Sequence, residues 1–256
     1  MTTWLNRRAL ASLGLGMGVG LMSTNAAARQ RSEGGLIGTR HGRKTRVAIL
    51  IYPGATMLDW IGPYEAMHRI DGFEILLVGK TTNVVKSDSG IVDYKANLTF
   101  DEVATTDVLL IPGGAKEMLT AAADPQTADW VRRMDAVSSY TVGICTGALF
   151  LARLGLLDGR RATTYWKFTP MLSGFGATFV PERWTQDGKY WTSAGVMAGV
   201  DLTIALIAEI YGRRSGQMAQ LAIEYDPDPP FDTGSVRTAP QDIIDALGGV
   251  VATPGQ

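Results

Sequence analysis

The chain has 256 residues, 24 basic and 25 acidic side chains, 46% apolar content and a formal charge of -1. This balance excludes bulk disorder, a collagen-like repeat and a coiled coil, and it supplies no basic footprint for nucleic acid. The single cysteine, Cys145, excludes an internal disulfide and a multi-thiolate zinc site, and two histidines, His41 and His68, leave little for a histidine-built metal centre.

Residues 1–28 read as an export signal of twin-arginine type. Arg7 and Arg8 give a positive start, Ala9 to Met22 carry no charge, and Ala26-Ala27-Ala28 supply the small residues at which a signal is cleaved. The apolar run is shorter than the ~20 residues of a spanning helix, so no stable membrane association is expected after cleavage. Residues 29–45, rich in Arg, Gly and Ser, read as a flexible linker.

From there, apolar runs of strand length alternate with helix-period segments. Strands are predicted at Arg46–Tyr52, Phe73–Val78, Asp107–Ile111 and Tyr140–Ile144, and further ones at Arg161–Tyr165, Ala177–Trp184 and Tyr190–Ser193. Ser87-Asp88-Ser89-Gly90 predicts a hairpin turn within Val84–Tyr94, and Asp187-Gly188 predicts another. Helices are predicted at Gly62–Ile70, from Asp124-Pro125 to Val137, and at Thr146–Leu154, Met197–Tyr211 and Ser215–Glu224. Strands alternating with helices imply βαβ units, and so a mostly parallel sheet covered on both faces in one domain over residues 46–240, with a tail at 241–256. In such sheets ligands sit beyond the carboxyl ends of the strands.

Cys145 falls where a predicted strand gives way at once to a helix, flanked by Gly143 and Gly147. A thiol on such an elbow faces unpaired helix N–H groups, which favour its thiolate and lower a free pKa of about 8.5. Its alternative role is a small buried hydrophobe. Thr146 has two roles open to it, capping that helix or hydrogen-bonding a substrate. No histidine follows Cys145, which disfavours a Cys-His peptidase. Asp59, after the first strand, comes within reach if the two strands are sheet neighbours. Beside the sulfur and apolar Trp60 its carboxyl is driven towards the protonated form and becomes a proton donor; its alternative role is a helix cap. Gly113 and Gly114 offer backbone N–H groups to a developing anion, or form a tight turn. Asp201 reads as a carboxylate facing a helix dipole, and Trp166, Trp184 and Trp191 read as core.

These segments together resemble the ThiJ/PfpI superfamily over roughly residues 46–240, and within it the isonitrile hydratase branch. The residues that carry the likeness are Tyr52-Pro53, Leu58-Asp59 and Gly62-Pro63, then Ile111 to Gly114, Ile144 to Gly147 and Arg161 to Thr164. They continue with Gly195, Gly199 and Asp201, and with a tail of Glu224-Tyr225, Pro227, Pro229-Pro230-Phe231 and Gly234-Ser235. The resemblance implies a flavodoxin-like three-layer α/β sandwich and a cofactor-free enzyme. Cys145 would attack an isonitrile carbon, Asp59 would supply the proton, Thr146 with Gly113 and Gly114 would steady the intermediate, and Ala194 and Gly195 would line the substrate site. It also implies a small-molecule substrate and a homodimer. Two positions depart from the branch: Tyr165 stands where histidine is common, and Ser193-Ala194-Gly195 is less glycine-rich. The competing expectations are a redox- or small-molecule-sensing protein of the same fold without hydratase activity, its thiol readily oxidised, or a related cysteine hydrolase.

Overall fold

The computed structural model describes residues 42–250, so the predicted export signal and most of the predicted linker lie outside the described residues. The chain enters through Arg43, whose guanidinium grips Asp107 with two bonds of 2.6 and 2.7 Å, and Lys44, which pairs with Asp71. It then forms β1 (Thr45–Ile51), α1 (Leu58–His68), β2 (Phe73–Gly79), the hairpin β3 (Val85–Lys86) and β4 (Asp93–Tyr94), β5 (Leu98–Thr99) and β6 (Val108–Ile111). Next come α2 (Lys116–Ala123), α3 (Pro125–Val137), β7 (Tyr140–Gly143), α4 (Gly147–Arg153), β8 (Arg161–Ala162), α5 (Thr169–Gly174), β9 (Thr178–Phe179), β10 (Trp184–Asp187) and β11 (Tyr190–Ser193). The chain continues through α6 (Ala198–Tyr211), α7 (Arg213–Ala222) and α8 (Gln241–Ala246).

Seven strands make the main sheet in the order β10-β11-β7-β6-β1-β2-β5, parallel throughout except for the edge strand β10. This is the expected flavodoxin-like α/β sandwich. β1 and β6 are buried along nearly their whole length because helices cover both faces of the sheet. One core layer lies between the sheet and α2 to α5, built on Trp130, Phe150, Leu109 and Met118. The other lies on the side of α1, α6 and α7, with Trp60, Leu202, Leu206 and Trp191. The chain leaves β1 towards β2 on one side, and β6 later returns to its other side. β1 and β6 therefore flank the switch point at whose carboxyl edge open α/β sheets hold ligands, and the loops after these two strands are bonded to each other there, Thr56 N–H to the Gly113 carbonyl at 2.9 Å.

Several predicted boundaries move. α1 begins four residues earlier than the predicted Gly62, so Pro63 sits inside the helix rather than in its first turn. The predicted strand Arg161–Tyr165 shrinks to two residues because Thr163 and Thr164 turn their hydroxyls to the carbonyls of Glu182 and Cys145 instead of extending a ladder. The run Ala177–Trp184 divides between β9 and the start of β10. α2, α5 and α8, the last within the predicted tail, had no sequence prediction.

Trp130 is fully buried and stacks on Phe100 at 4.8 Å, while its Nε1 has no hydrogen-bond partner. Trp130→Ala is expected to lower unfolding free energy by about 3–5 kcal/mol. Trp130→Phe should lose much less, since it also removes an unpaired N–H. Urea denaturation of both variants checks the difference.

Candidate active site

Cys145 follows β7 and precedes α4 with φ of 56°, a left-handed backbone that non-glycine residues rarely adopt. Such a residue stores about 1–3 kcal/mol, so the surroundings must hold it. Thr164 Oγ1 donates to the Cys145 carbonyl at 2.8 Å, and Gly147 N–H closes the turn onto Ile144 at 2.7 Å. Gly147 runs so close to β6 that a Cβ there would collide with the Ile111 carbonyl. The elbow predicted from the sequence is therefore present, and the neighbouring strand fixes its shape.

Asp59 lies in the first turn of α1, fully buried, and makes no capping bond to its own helix. Its Oδ2 accepts the Gly113 N–H at 3.0 Å. β1 and β7 are not neighbours as the sequence reading required; β6 lies between them. The two loops still meet because Gly113, at the end of β6, has no side chain. A Cβ there would stand 2.6 Å from both Asp59 Oδ2 and Thr146 Oγ1. The loop carrying Asp59 is held by Thr56 N–H on the Gly113 carbonyl at 2.9 Å. It is held again by the Tyr94 hydroxyl, which accepts from Ala55 N–H at 3.0 Å and donates to the Tyr52 carbonyl at 2.7 Å.

Burial drives the electrostatics. It raises the Asp59 carboxyl from 3.8 to about 7, against the opposing effects of the Gly113 N–H and the Cys145 thiol. Asp59 Oδ1 has no hydrogen bond of conventional geometry, although the thiol is near enough to stabilise the carboxylate. The thiol of Cys145, a residue only 7% exposed, is also pushed up, first by burial and then by the Asp59 charge. N–H groups of Thr146 and Val196 aimed at the sulfur pull the other way and lose. The expectation of an acidified thiol is thus corrected: desolvation outweighs the helix N-terminus, and the resting sulfur is a neutral thiol beside a carboxyl that titrates near neutrality.

Thr146 neither caps α4 through its side chain nor points its hydroxyl at a free site. Its Oγ1 donates to the Gly114 carbonyl at 2.7 Å and accepts the Gly114 N–H at 2.9 Å. The Gly113 and Gly114 amides expected to receive an anion are therefore already engaged, one by Asp59 and the other by Thr146. Ala194 N–H is spent on the Arg183 carbonyl, and Gly195 lies under the Tyr165 ring. The next residue along, Val196, supplies the amide at the sulfur. Backbone amides leave no mark in a sequence, so only the proximity of Gly195 could have pointed to it. Thr164 was visible as part of a motif but without its role. Tyr165 lies within electrostatic range of the sulfur and is partly exposed. Asp201 pairs with Arg183, and Trp184 stacks on Trp191 at 5.5 Å, in line with the core reading. His68 stacks on Tyr64 at the surface. Among the described residues no group of three or more His, Cys, Asp or Glu is arranged to hold a metal ion.

Residues 45–209 match the DJ-1/PfpI family, and the chain belongs to it. It is 37% identical over 200 residues to the isonitrile hydratase of Pseudomonas putida, an alignment spanning 78% of this chain and 87% of that enzyme. It is 29% identical over 199 residues to the HTH-type transcriptional regulator CdhR of Pseudomonas aeruginosa, covering 73% of this chain and 55% of the regulator. Among solved structures, a ThiJ/PfpI family protein from Pseudomonas syringae superposes with a TM-score of 0.78 at 33% identity, covering 89% of this chain and 91% of that one.

Asp59→Asn separates the two causes acting on the thiol. Removing the carboxylate should bring the Cys145 thiol closer to its ordinary value, so that iodoacetamide alkylates the variant faster than wild type at pH 8, by roughly tenfold for each pKa unit recovered. The same carboxyl sets a pH dependence of stability. It binds its proton up to about pH 7 when folded but only to 3.8 when unfolded, so wild-type stability falls as pH rises through that window, by roughly 4 kcal/mol. Thermal melting should show Asp59→Asn gaining on wild type between pH 4 and pH 8.

Proposed function

We propose that this protein hydrates isonitriles to N-substituted formamides, with Cys145 as nucleophile and Asp59 as proton carrier. The observation that carries the reading is a buried thiol set beside a fully buried carboxyl, whose proton burial holds up to about 7 while the thiol is held neutral. The isonitrile carbon must gain both a sulfur and a proton, and this pair holds both. Asp59 gives its proton to the terminal carbon, whose lone pair becomes the new C–H bond. A sulfur lone pair forms the C–S bond, and the thiol proton passes to the vacated carboxylate. The product of this step is a thioimidate. Water then adds to its carbon, a proton moves to nitrogen, and the C–S bond breaks with its electron pair returning to sulfur. The thiol is regenerated and the formamide leaves.

Access supports the same reading. A terminal isonitrile carbon ends a slender linear group, suited to the sulfur of a residue that is only 7% exposed, whereas the carbonyl of a peptide bond is flanked by chain on both sides. Thr146 and Val196 N–H groups are the donors available as charge passes through the sulfur. The similarity to the Pseudomonas putida enzyme favours isonitriles over other electrophiles. A sensor built on ready oxidation needs an acidified thiol, the opposite of what burial produces here.

The test is conversion of an aryl isonitrile to its formamide, followed by loss of the isonitrile infrared band. Cys145→Ala should abolish turnover, and Asp59→Asn should lower it by about 10²–10⁴-fold. Because the carboxylic acid form starts the reaction, kcat/KM should fall as pH rises through about 7. Full activity in Cys145→Ala would end the proposal, as would a rate that climbs with pH in step with thiolate formation.

A further inference from the structure

The described part of the molecule holds a cleft that the reaction at Cys145 does not use. It has a volume of about 340 Å³ and lies at the carboxyl end of β1, between that strand, the residues following β2, and the helices α2 and α3. Its floor is apolar, formed by Ile51, Tyr52, Pro53, Val85, Phe100 and Ala121. Phe100 and Tyr52 belong to the core layer on the α2–α5 side, whereas Cys145 belongs to the layer on the opposite side of the sheet. The volume falls near the lower end of the ~300–1,000 Å³ of ordinary ligand pockets and suits a small molecule with one ring or a short branched chain.

The charges at its rim do not balance. Lys80 is already committed to Asp124, Nζ to Oδ1 at 2.7 Å, and the second Asp124 oxygen caps α3 through Thr127 N–H at 3.0 Å. Glu117 also lines the cleft, and among the described residues it has neither a hydrogen bond nor an ion pair. Its position is fixed by packing. The Glu117 stem lies over Gly54, whose φ is +78° and where a Cβ would come within 2.5 Å of Glu117 Cγ. An apolar floor with one unpaired carboxylate at its edge selects for a cation carried on an apolar body.

We propose that this cleft binds small organic ammonium ions, the apolar body seated against Phe100, Tyr52 and Val85 and the ammonium paired with Glu117. The site goes beyond the hydration chemistry: its charge-reading group is Glu117, while Tyr52 in its lining lies within electrostatic range of Asp59 and Cys145.

Three probes of matched size settle it by isothermal titration calorimetry on the whole protein at pH 7: 3-phenylpropylamine, 3-phenylpropanol and 3-phenylpropionate. The amine is expected to bind at least tenfold more tightly than the other two, to lose that advantage in Glu117→Gln, and to keep it in Cys145→Ser, which leaves the cleft intact. Binding that ranks the three probes equally, that survives Glu117→Gln undiminished, or that is lost in Cys145→Ser would overturn the assignment. The first comparison uses wild-type protein alone, so it stands even if Glu117→Gln fails to fold. Loss of isonitrile turnover would leave the proposal unaffected, which keeps the two readings separable.

Discussion

The site depends on burying one carboxyl and one thiol together with too few partners for both to be charged. In water Asp59 would be ionised at neutral pH; enclosed by α1, Trp60 and the Gly113 turn, its carboxyl holds a proton up to about 7. Burial likewise keeps the thiol neutral, and an Asp59 charge adds to that effect. The Thr146 and Val196 amides at the sulfur are outweighed by this burial. In the proposed reaction the pair acts as a small proton store whose total charge changes little while a substrate is attacked, which is what addition of both sulfur and hydrogen to one carbon requires.

The fold serves that pair by bringing three strand ends together. β1 delivers Asp59 through a loop clamped by Tyr94 and Thr56, the loop after β6 carries a glycine small enough to be bridged, and β7 delivers Cys145 in a strained turn. The strain of the left-handed cysteine is offset by Thr164 and by the close fit of Gly147 against β6. Thr146 ties the β6 loop to the elbow with two bonds to Gly114. Its role is to hold the frame, and the residues beside the reacting sulfur are fewer than the sequence motifs suggest.

Much of this was legible in the sequence because it rests on patterns that physics forces. Continuous apolar runs at Arg46–Tyr52 and Asp107–Ile111 reveal strands buried on both faces, and a cysteine between such a run and a helix reveals the elbow. The direction of the Asp59 shift was readable from residue type and apolar neighbours, whereas its meeting with Cys145 was expected through neighbouring strands and comes about instead across β6, at Gly113. The thiol was read in the wrong direction because a helix start is local and visible, while the depth of burial is a property of the whole fold. The amides of Gly113 and Gly114 were read as free because a sequence shows donors without showing their acceptors. Thr163 and Thr164 looked like strand residues since β-branched side chains favour strands, yet both serve as clamps. The cleft beside Glu117 was invisible for a further reason: α2, one of its walls, was not predicted.

The family contains relatives whose names describe a hydratase, regulators and a deglycase. One scaffold hosts several chemistries, and the one proposed here turns on the protonation state of the Cys145 sulfur and its neighbour Asp59, which burial sets. The most direct test of that state is a carbon NMR titration of protein labelled at the aspartate carboxyl carbons, with the Asp59 resonance assigned by comparison with Asp59→Asn. A midpoint for Asp59 near pH 7 is the result expected, well separated from the exposed aspartates. A midpoint near 4 would mean that the carboxyl is ionised throughout the working range, and the shared-proton account of this site would be wrong.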